Sequence, residues 1–469
     1  MCPVSESRFV GQVPPRLQTL VPRLWEEIKF DFHGSQCSPT LSSIQKYASF
    51  IQSLSIDHHS ALVLLHSATT FPALASLAIK ETGCGKPYDD PALVDFIQRH
   101  REVLKSVTTN QHAKESLLPA LEDCPRLESP TVENQDYIPD PTRWIHQFEH
   151  LWSRLHTMSL EDGDNFGTPN PATATVKKWL RFDGPNRIRD LTLHFNQPQT
   201  ISGFSACVVK QCPDLIRLRW YCAVKDGISP MERLVDIFQG DSSFGKKLED
   251  ITLGRRIFKN ETFQLLMKSL VQLRCLNLCI TNFDQESWTI LRTTKPAHLK
   301  TLAVLNLYRC KQLPIKAIHQ MLCEMPSLKI FVATAVGDKE MVEDPRPWVC
   351  LDMEELTLRL SLTRFSTDPS VRSLAIKRYL AQVGQLKRLE VLKHFLPSDE
   401  HEFTTFLKVK GGLDVLKNLR RLRLAIWAHT FTGENEVRWI LENWPLLENP
   451  SRSNLQSSLN CGQFSKSDK

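Results

Sequence analysis

Glycine beside lysine, histidine beside glutamate, and cysteines four or five residues apart are the spacings in this 469-residue chain that bear on catalysis or metal binding. Gly83-Cys84-Gly85-Lys86-Pro87 has the glycine and lysine of a phosphate loop, whose backbone N–H groups and lysine would cradle a triphosphate. That chemistry also needs a glycine where Lys80 stands and a magnesium-binding hydroxyl where Pro87 stands, so the segment reads as a turn. His401-Glu402 starts a helical zinc pair but has no second histidine at the fourth following position. Cys207 and Cys212, and Cys275 and Cys279, find no second pair to make four ligands, and such thiols belong in a core. His58-His59 reads as a solvated loop pair. The expectation is a chain that is not an enzyme, with no catalytic residue, no metal ligand and no cofactor.

Recognition of another protein has better candidates. Arg217, Arg219, Trp220 and Tyr221 bring guanidinium and aromatic groups together, the composition that concentrates binding energy at interfaces. Trp220 is expected in the core, and Arg217, Arg219 and Tyr221 on the surface. Residues 372–423 hold twelve Lys or Arg against five Asp or Glu, an excess of seven in a chain whose whole net charge is +6. Arg388, Arg421 and Arg423 in that stretch are candidates for meeting an acidic partner; the plainer reading is a solvated face.

Composition sets the compartment and size. A net charge of +6 over 58 basic and 52 acidic residues is too small to argue for nucleic acid. The thirteen cysteines show no paired spacing, and the first residues, Met1-Cys2-Pro3-Val4-Ser5-Glu6-Ser7-Arg8, lack the apolar core of a secretory leader. Cytoplasm or nucleus is expected. The most apolar stretch, Ala61 to Ile79, is interrupted by His66, Thr69, Thr70 and Pro72, so no membrane span is expected. At this length the chain is either several domains or a repeat array.

Self-similarity favours the array. Phe71-Pro72-Ala73-Leu74, Cys124-Pro125-Arg126-Leu127, Cys212-Pro213-Asp214-Leu215, Met325-Pro326-Ser327-Leu328 and Trp444-Pro445-Leu446-Leu447 share one pattern. Their leucines are 53, 88, 113 and 119 residues apart, multiples of a unit of roughly 27 to 30. A second pattern, apolar-x-x-apolar-x-apolar, fills the units, as in Leu273 to Leu278, Leu302 to Leu307 and Leu419 to Leu424. The middle apolar residues are Leu54, Leu77, Val107, Pro130, Met158, Leu191, Leu218, Ile251, Leu276, Leu305, Phe331, Leu356, Leu389 and Leu422. Pro130 is an awkward strand centre because it has no N–H. Met231 to Phe238 and Ile315 to Leu322 between them have helical period. Strand, helix, strand in units this short predicts an α/β leucine-rich-repeat solenoid of about fourteen irregular repeats, a curved parallel sheet on its concave face and helices on the convex face.

In this register the residues flanking each centre face outward. The predicted concave face carries Ser53/Ser55, Ser76/Ala78, Thr157/Ser159, Asp190/Thr192, Arg217/Arg219, Asp250/Thr252, Cys275/Asn277, Val304/Asn306, Ile330/Val332, Glu355/Thr357, Arg388/Glu390 and Arg421/Arg423. Its charges are mixed, which suits a protein partner and offers no phosphate track, so nucleic acid is not expected. Segments 133–141, 161–175 and 337–347 are rich in turn-forming residues and read as insertions. Val437 to Pro445 reads as a closing helix and Ser451 to Lys469 as a disordered tail.

Leu302 to Leu307 with Tyr308-Arg309-Cys310 resembles the cysteine-containing repeat of ribonuclease-inhibitor-like proteins, and the irregular units resemble those of fungal F-box/leucine-rich-repeat proteins. Val21-Pro22-Arg23-Leu24-Trp25-Glu26-Glu27-Ile28-Lys29-Phe30 is similar to the segment that closes an F-box. The resemblance implies residues 1–44 as the end of an F-box and its linker, 45–450 as the repeat array and 451–469 as the tail. It implies substrate recognition for a ubiquitin ligase; a stand-alone repeat scaffold is the alternative, and an enzyme of unrecognised class a remote one. Only 24 residues precede Trp25 and none supplies a Leu-Pro helix start, so the expected F-box is truncated or missing, and binding to the cullin-RING ligase adaptor is in question.

Overall fold

The computed structural model describes residues 26–29, 41–57, 69–80, 90–109, 117–134, 155–162, 187–195, 208–222, 230–240, 246–254, 258–361, 369–393, 413–423 and 442–446. The chain divides into two compact units, Met1–Gly227 and Ile228–Lys469. Among the described residues, the first unit holds strands β1 (Glu27–Lys29), β2 (Ser53–Asp57), β3 (Ser76–Lys80), β4 (Ser106–Thr109), β5 (Ser129–Asn134), β6 (Thr157–Asp162), β7 (Asp190–Phe195) and β8 (Arg217–Cys222). They lie side by side in chain order, each parallel to the last. Helices α1 (Leu41–Tyr47), α2 (Asp90–His100) and α3 (Leu117–Glu122) lie between strands in the chain.

The second unit repeats the plan. Its strands are β9 (Asp250–Gly254), β10 (Cys275–Asn277), β11 (Val304–Asn306), β12 (Ile330–Gly337), β13 (Glu355–Ser361), β14 (Val391–Lys393) and β15 (Arg421–Arg423), again parallel and in order. Its helices are α4 (Pro230–Gly240), α5 (Asn260–Ser269), α6 (Gln285–Thr294), α7 (Pro296–Thr301), α8 (Ile315–Glu324), α9 (Asp338–Glu343) and α10 (Pro369–Gly384). A helix or loop between successive parallel strands of one sheet is the α/β leucine-rich-repeat solenoid that the patterns predicted.

One local rule builds the repeats. Three buried apolar residues, spaced by three, lead into strands such as β3, β8 and β12: Phe71, Leu74 and Leu77; Cys212, Leu215 and Leu218; Met325, Leu328 and Phe331. A tight turn joins the first two, with Leu74 N–H donating to Phe71 O at 3.1 Å and Leu215 N–H to Cys212 O at 3.2 Å. Proline follows the first residue because its fixed φ suits the second position of such a turn. The third residue is the strand centre. The centres pair in register, Leu54 with Leu77 and Leu276 with Leu305, and Leu305 with Phe331. The helices close the layer, as where α8 buries Ala317, Ile318, Met321 and Leu322.

Thirteen of the fourteen expected centres lie on strands. Leu389 does not: it occupies the turn before β14, its N–H donating to Leu386 O at 2.9 Å, and Leu392 is the centre, in register with Leu356 and Leu422. Pro130 does sit in β5, but the β5–β6 ladder begins only at Thr131, past the residue that has no N–H to give. The sheet also starts before residue 45, since Glu27–Lys29 pairs with Ser53–Ser55. Segment 337–347, read as an irregular insertion, contains α9; its Asp338 and Met341 are buried. Segments 133–141 and 161–175 are described only at residues 133–134 and 161–162, which end β5 and β6. Most of the proposed closing helix, the whole tail, His58-His59, Gly83 to Pro87 and His401-Glu402 lie outside the described residues.

Candidate binding face

Side chains alternate along a strand, so with each centre buried its two neighbours stand on the sheet's other face. In the first unit this face is lined with hydroxyls. Ser53, Ser76, Ser106 and Ser129 form one row across β2 to β5. Ser55, Ala78, Thr108, Thr131, Ser159 and Thr192 form the next across β2 to β7, ending at Arg219. Adjacent members stand about 4.8 Å apart, the spacing of hydrogen-bonded strands. The pairs Ser106/Thr108 and Ser129/Thr131 were missing from the sequence map because Val107 and Pro130 match the pattern poorly, though Ser-x-Thr on both was the available signal.

β8 closes these rows with charge. Arg217 Nε lies 2.8 Å from Asp190 Oδ2, and that aspartate is only 8% exposed. Arg219 is exposed and forms no ion pair among the described residues. Trp220 points the other way and is core, 1% exposed, with no hydrogen-bond partner for Nε1 among the described residues. Tyr221 is half-buried and stands in register with His194. The structure therefore puts Arg217, Arg219 and Tyr221 on one face, and makes Arg217 a partner of Asp190 first.

In the second unit the outer face is apolar at its middle. Asp250, Cys275, Val304, Ile330, Glu355, Val391 and Arg421 make one row across β9 to β15. Asn277, Asn306, Val332, Thr357 and Lys393 belong to the adjacent row, which ends at Arg423. Val304, Ile330 and Val332 are half-buried neighbours. Asn277 Oδ1 and Asn306 Oδ1 accept the N–H of Cys279 and Tyr308, at 3.2 and 2.9 Å, so these amides shape the turns beyond the strands. Lys393 Nζ lies 2.5 Å from Glu355 Oε1 at the edge of the apolar patch.

Arg388 is not on this face. The register correction places it in the turn ahead of β14, where Nη1 lies 3.2 Å from Asp352 Oδ1. Val391 and Lys393 take the places expected of Arg388 and Glu390. Arg421 is exposed on β15, and Arg423 lies on the same strand two residues on.

Burial favours the neutral form of several cysteines and histidines elsewhere. Burial pushes Cys323 up to about 11 and Cys350 up to about 12, so neither is a thiolate nucleophile at neutral pH. Burial likewise raises Cys310, whose Sγ donates to Leu278 O at 3.1 Å. His100, His298 and His319 are lowered chiefly by burial. The Arg346 guanidinium holds Asp344 down at about 2. Among the described residues, no group of three His, Cys, Asp or Glu side chains is placed to hold a metal ion, and no helix is long and apolar enough to cross a membrane.

No protein-family model and no curated protein matches the sequence. The chain is similar to one in the crystal structure of the Rad7 and Elc1 complex of yeast, with 14% identity and a TM-score of 0.40, covering 64% of this chain and 73% of that one. It is similar also to one in the crystal structure of the TLR13–ssRNA13 complex, with 16% identity and a TM-score of 0.36, covering 82% of this chain and 53% of that one.

Proposed function

We propose that the chain is a non-enzymatic scaffold whose sheet face binds a protein partner, in the role of substrate recognition of the F-box/leucine-rich-repeat ubiquitin-ligase type. The observation that carries the binding role is the cluster of Val304, Ile330 and Val332, half-exposed on a sheet face where an open sheet carries polar side chains. Apolar groups ringed by charge, here Asp250, the Lys393–Glu355 pair and Arg421, are the anatomy of a protein interface. Arg219 and Tyr221 on the first unit's face, and Arg421 with Arg423 on the second's, are the contacts proposed to set partner choice; Arg217, paired with Asp190, steadies that face. The test is affinity purification of the wild type and of Ile330→Glu/Val332→Glu from the native cell. Loss of the same proteins from the variant, with its melting unchanged, supports the reading; equal recovery overturns it. The ligase role rests on the resemblance of Val21 to Phe30, and a stand-alone scaffold is its rival. A cullin-RING adaptor recovered with the wild type and lost on replacing Trp25 supports the first; partners recovered without any adaptor support the second.

A further inference from the structure

The edge at which the chain enters its strands differs between the two units. In the second unit, charges two residues ahead of each centre are paired across neighbouring repeats. Arg274 lies 3.5 Å from Glu249, Lys329 2.9 Å from Glu354, and Arg420 3.8 Å from Glu390. In the first unit the corresponding positions just ahead of β4 to β7 are Lys105, Glu128, His156 and Arg189, and Arg126 and Arg187 stand two residues further back, before β5 and β7. None of these six forms an ion pair among the described residues. Three permanent cations and a histidine, with Glu128 the one acid, line an open cavity of about 440 Å³ between Lys105 and Arg187, and buried Leu127 is part of its wall. Unpaired like charges so close repel one another, and an anion supplied from outside relieves that repulsion.

We propose that this groove binds a short acidic segment of a protein partner, its Asp and Glu carboxylates taken by Arg126 and Arg187 and by Lys105. Guanidinium groups grip carboxylates with two parallel hydrogen bonds. The charged lining is exposed, so the groove receives a chain laid across it and does not enclose a small molecule. Its length argues for a peptide over a nucleic acid. The basic stretch runs from β4 to β7, roughly 15 Å at the usual strand spacing, and ends at Ala75 on one side and at Ile216 and Asp214 on the other. That span matches about four or five extended residues, whereas a nucleic-acid strand gains its affinity from a longer run of phosphate contacts. The groove lies at the strand edge, so it is a different surface from the sheet face and stands or falls separately.

The experiment is fluorescence anisotropy of the full chain with a labelled peptide of six consecutive glutamates, at low and high salt. Saturable binding that weakens with salt is expected. Arg126→Glu with Arg187→Glu should reduce affinity at least about tenfold. Glu128→Gln should raise it by about threefold, a gain that misfolding does not imitate. Lys316→Gln, on α8 of the second unit, should leave it unchanged. No binding at low salt, or equal binding by the double reversal, overturns the proposal. A single-stranded oligothymidine of equal charge that binds more tightly than the peptide, with the same response to the variants, assigns the groove to nucleic acid and overturns it too.

Discussion

Ile280 and Arg309 occupy the same place in successive repeats, four residues after the centres Leu276 and Leu305, and both adopt a left-handed φ of 59°. Each is the third residue of the turn that leaves its strand. Cys310 N–H donates to Leu307 O at 3.1 Å around Arg309, and Ile280 N–H donates to Tyr308 O of the next repeat at 2.8 Å. A positive φ at that position suits glycine or asparagine, and a β-branched residue there is strained by about 1 to 2 kcal/mol. Ile280 is 39% exposed, so little burial offsets the strain. Ile280→Asn is expected to stabilise the second unit by about 1 kcal/mol, read as a higher urea midpoint at unchanged slope. A midpoint that falls would show that the isoleucine packs usefully despite its backbone.

Leu305 is fully buried between the strand centres Leu276 and Phe331. Leu305→Ala leaves a cavity that neighbouring repeats cannot fill, at a cost of about 2 to 5 kcal/mol. Repeat arrays draw stability from nearest neighbours, so chemical denaturation should also broaden or split. A loss below about 0.5 kcal/mol would be that of a surface residue and would remove Leu305 from the core.

These outcomes bear on why most of the fold was legible and part of it was not. A strand centre with two apolar flags at fixed spacing is a local code, and it placed Leu276 and Leu305 correctly. It failed at Leu389 because Leu386, Leu389 and Val391 fit the pattern in full, whereas the observed centre Leu392 has His394 in the last apolar place. The turn settles the register, and its proline marker is absent there: Lys387 stands where other repeats have Pro72, Pro213 or Pro326. Strand β1 escaped for a different reason: Val21-Pro22-Arg23-Leu24 ahead of it has the proline signature, but the centre Ile28 comes four residues after that leucine where other repeats have three. The face was legible once the register was. The groove was not, because Lys105, Arg126 and Arg187 are far apart in sequence and meet only when repeats stack.

His100 makes the first unit sensitive to acid. Its Nδ1 donates to Phe96 O at 2.7 Å and its Nε2 accepts the Phe71 N–H at 2.9 Å, so the ring must be neutral to keep both bonds. Burial first, and then Arg99, lower its pKa against the opposing pull of Phe96 O. A lowered histidine takes up its proton in the unfolded chain before the folded one. Its stabilisation is therefore complete above the ordinary value of about 6.5 and declines as pH falls from there towards the folded pKa. Denaturant titrations of residues 1–227 within the full chain, followed by hydrogen exchange at α2, should show less protection at pH 5.5 than at pH 7.5. His100→Gln should flatten that dependence; an unchanged slope would assign the acid sensitivity to other groups.

Arg217 and Arg219 flank the same centre, and their neighbours separate their roles. Arg217 neutralises Asp190, a carboxylate that is nearly buried and whose Oδ1 has no partner among the described residues. Removing the guanidinium strands that charge, so Arg217→Ala should destabilise the first unit by about 1 to 3 kcal/mol. Asp190→Asn in the same chain should recover part of the loss, because a neutral amide is cheaper to leave unpaired. Arg219 is exposed on the same face, and Arg219→Ala should leave stability within about 0.5 kcal/mol. Partner affinity should follow the opposite order once stability is matched, falling for Arg219→Ala and staying near wild type for the Asp190→Asn/Arg217→Ala pair. Urea unfolding and a titration with the partner recovered by affinity purification measure the two quantities on the same samples. Equal stability of both single variants would mean that Asp190 is solvated and that Arg217 is as free to bind as Arg219.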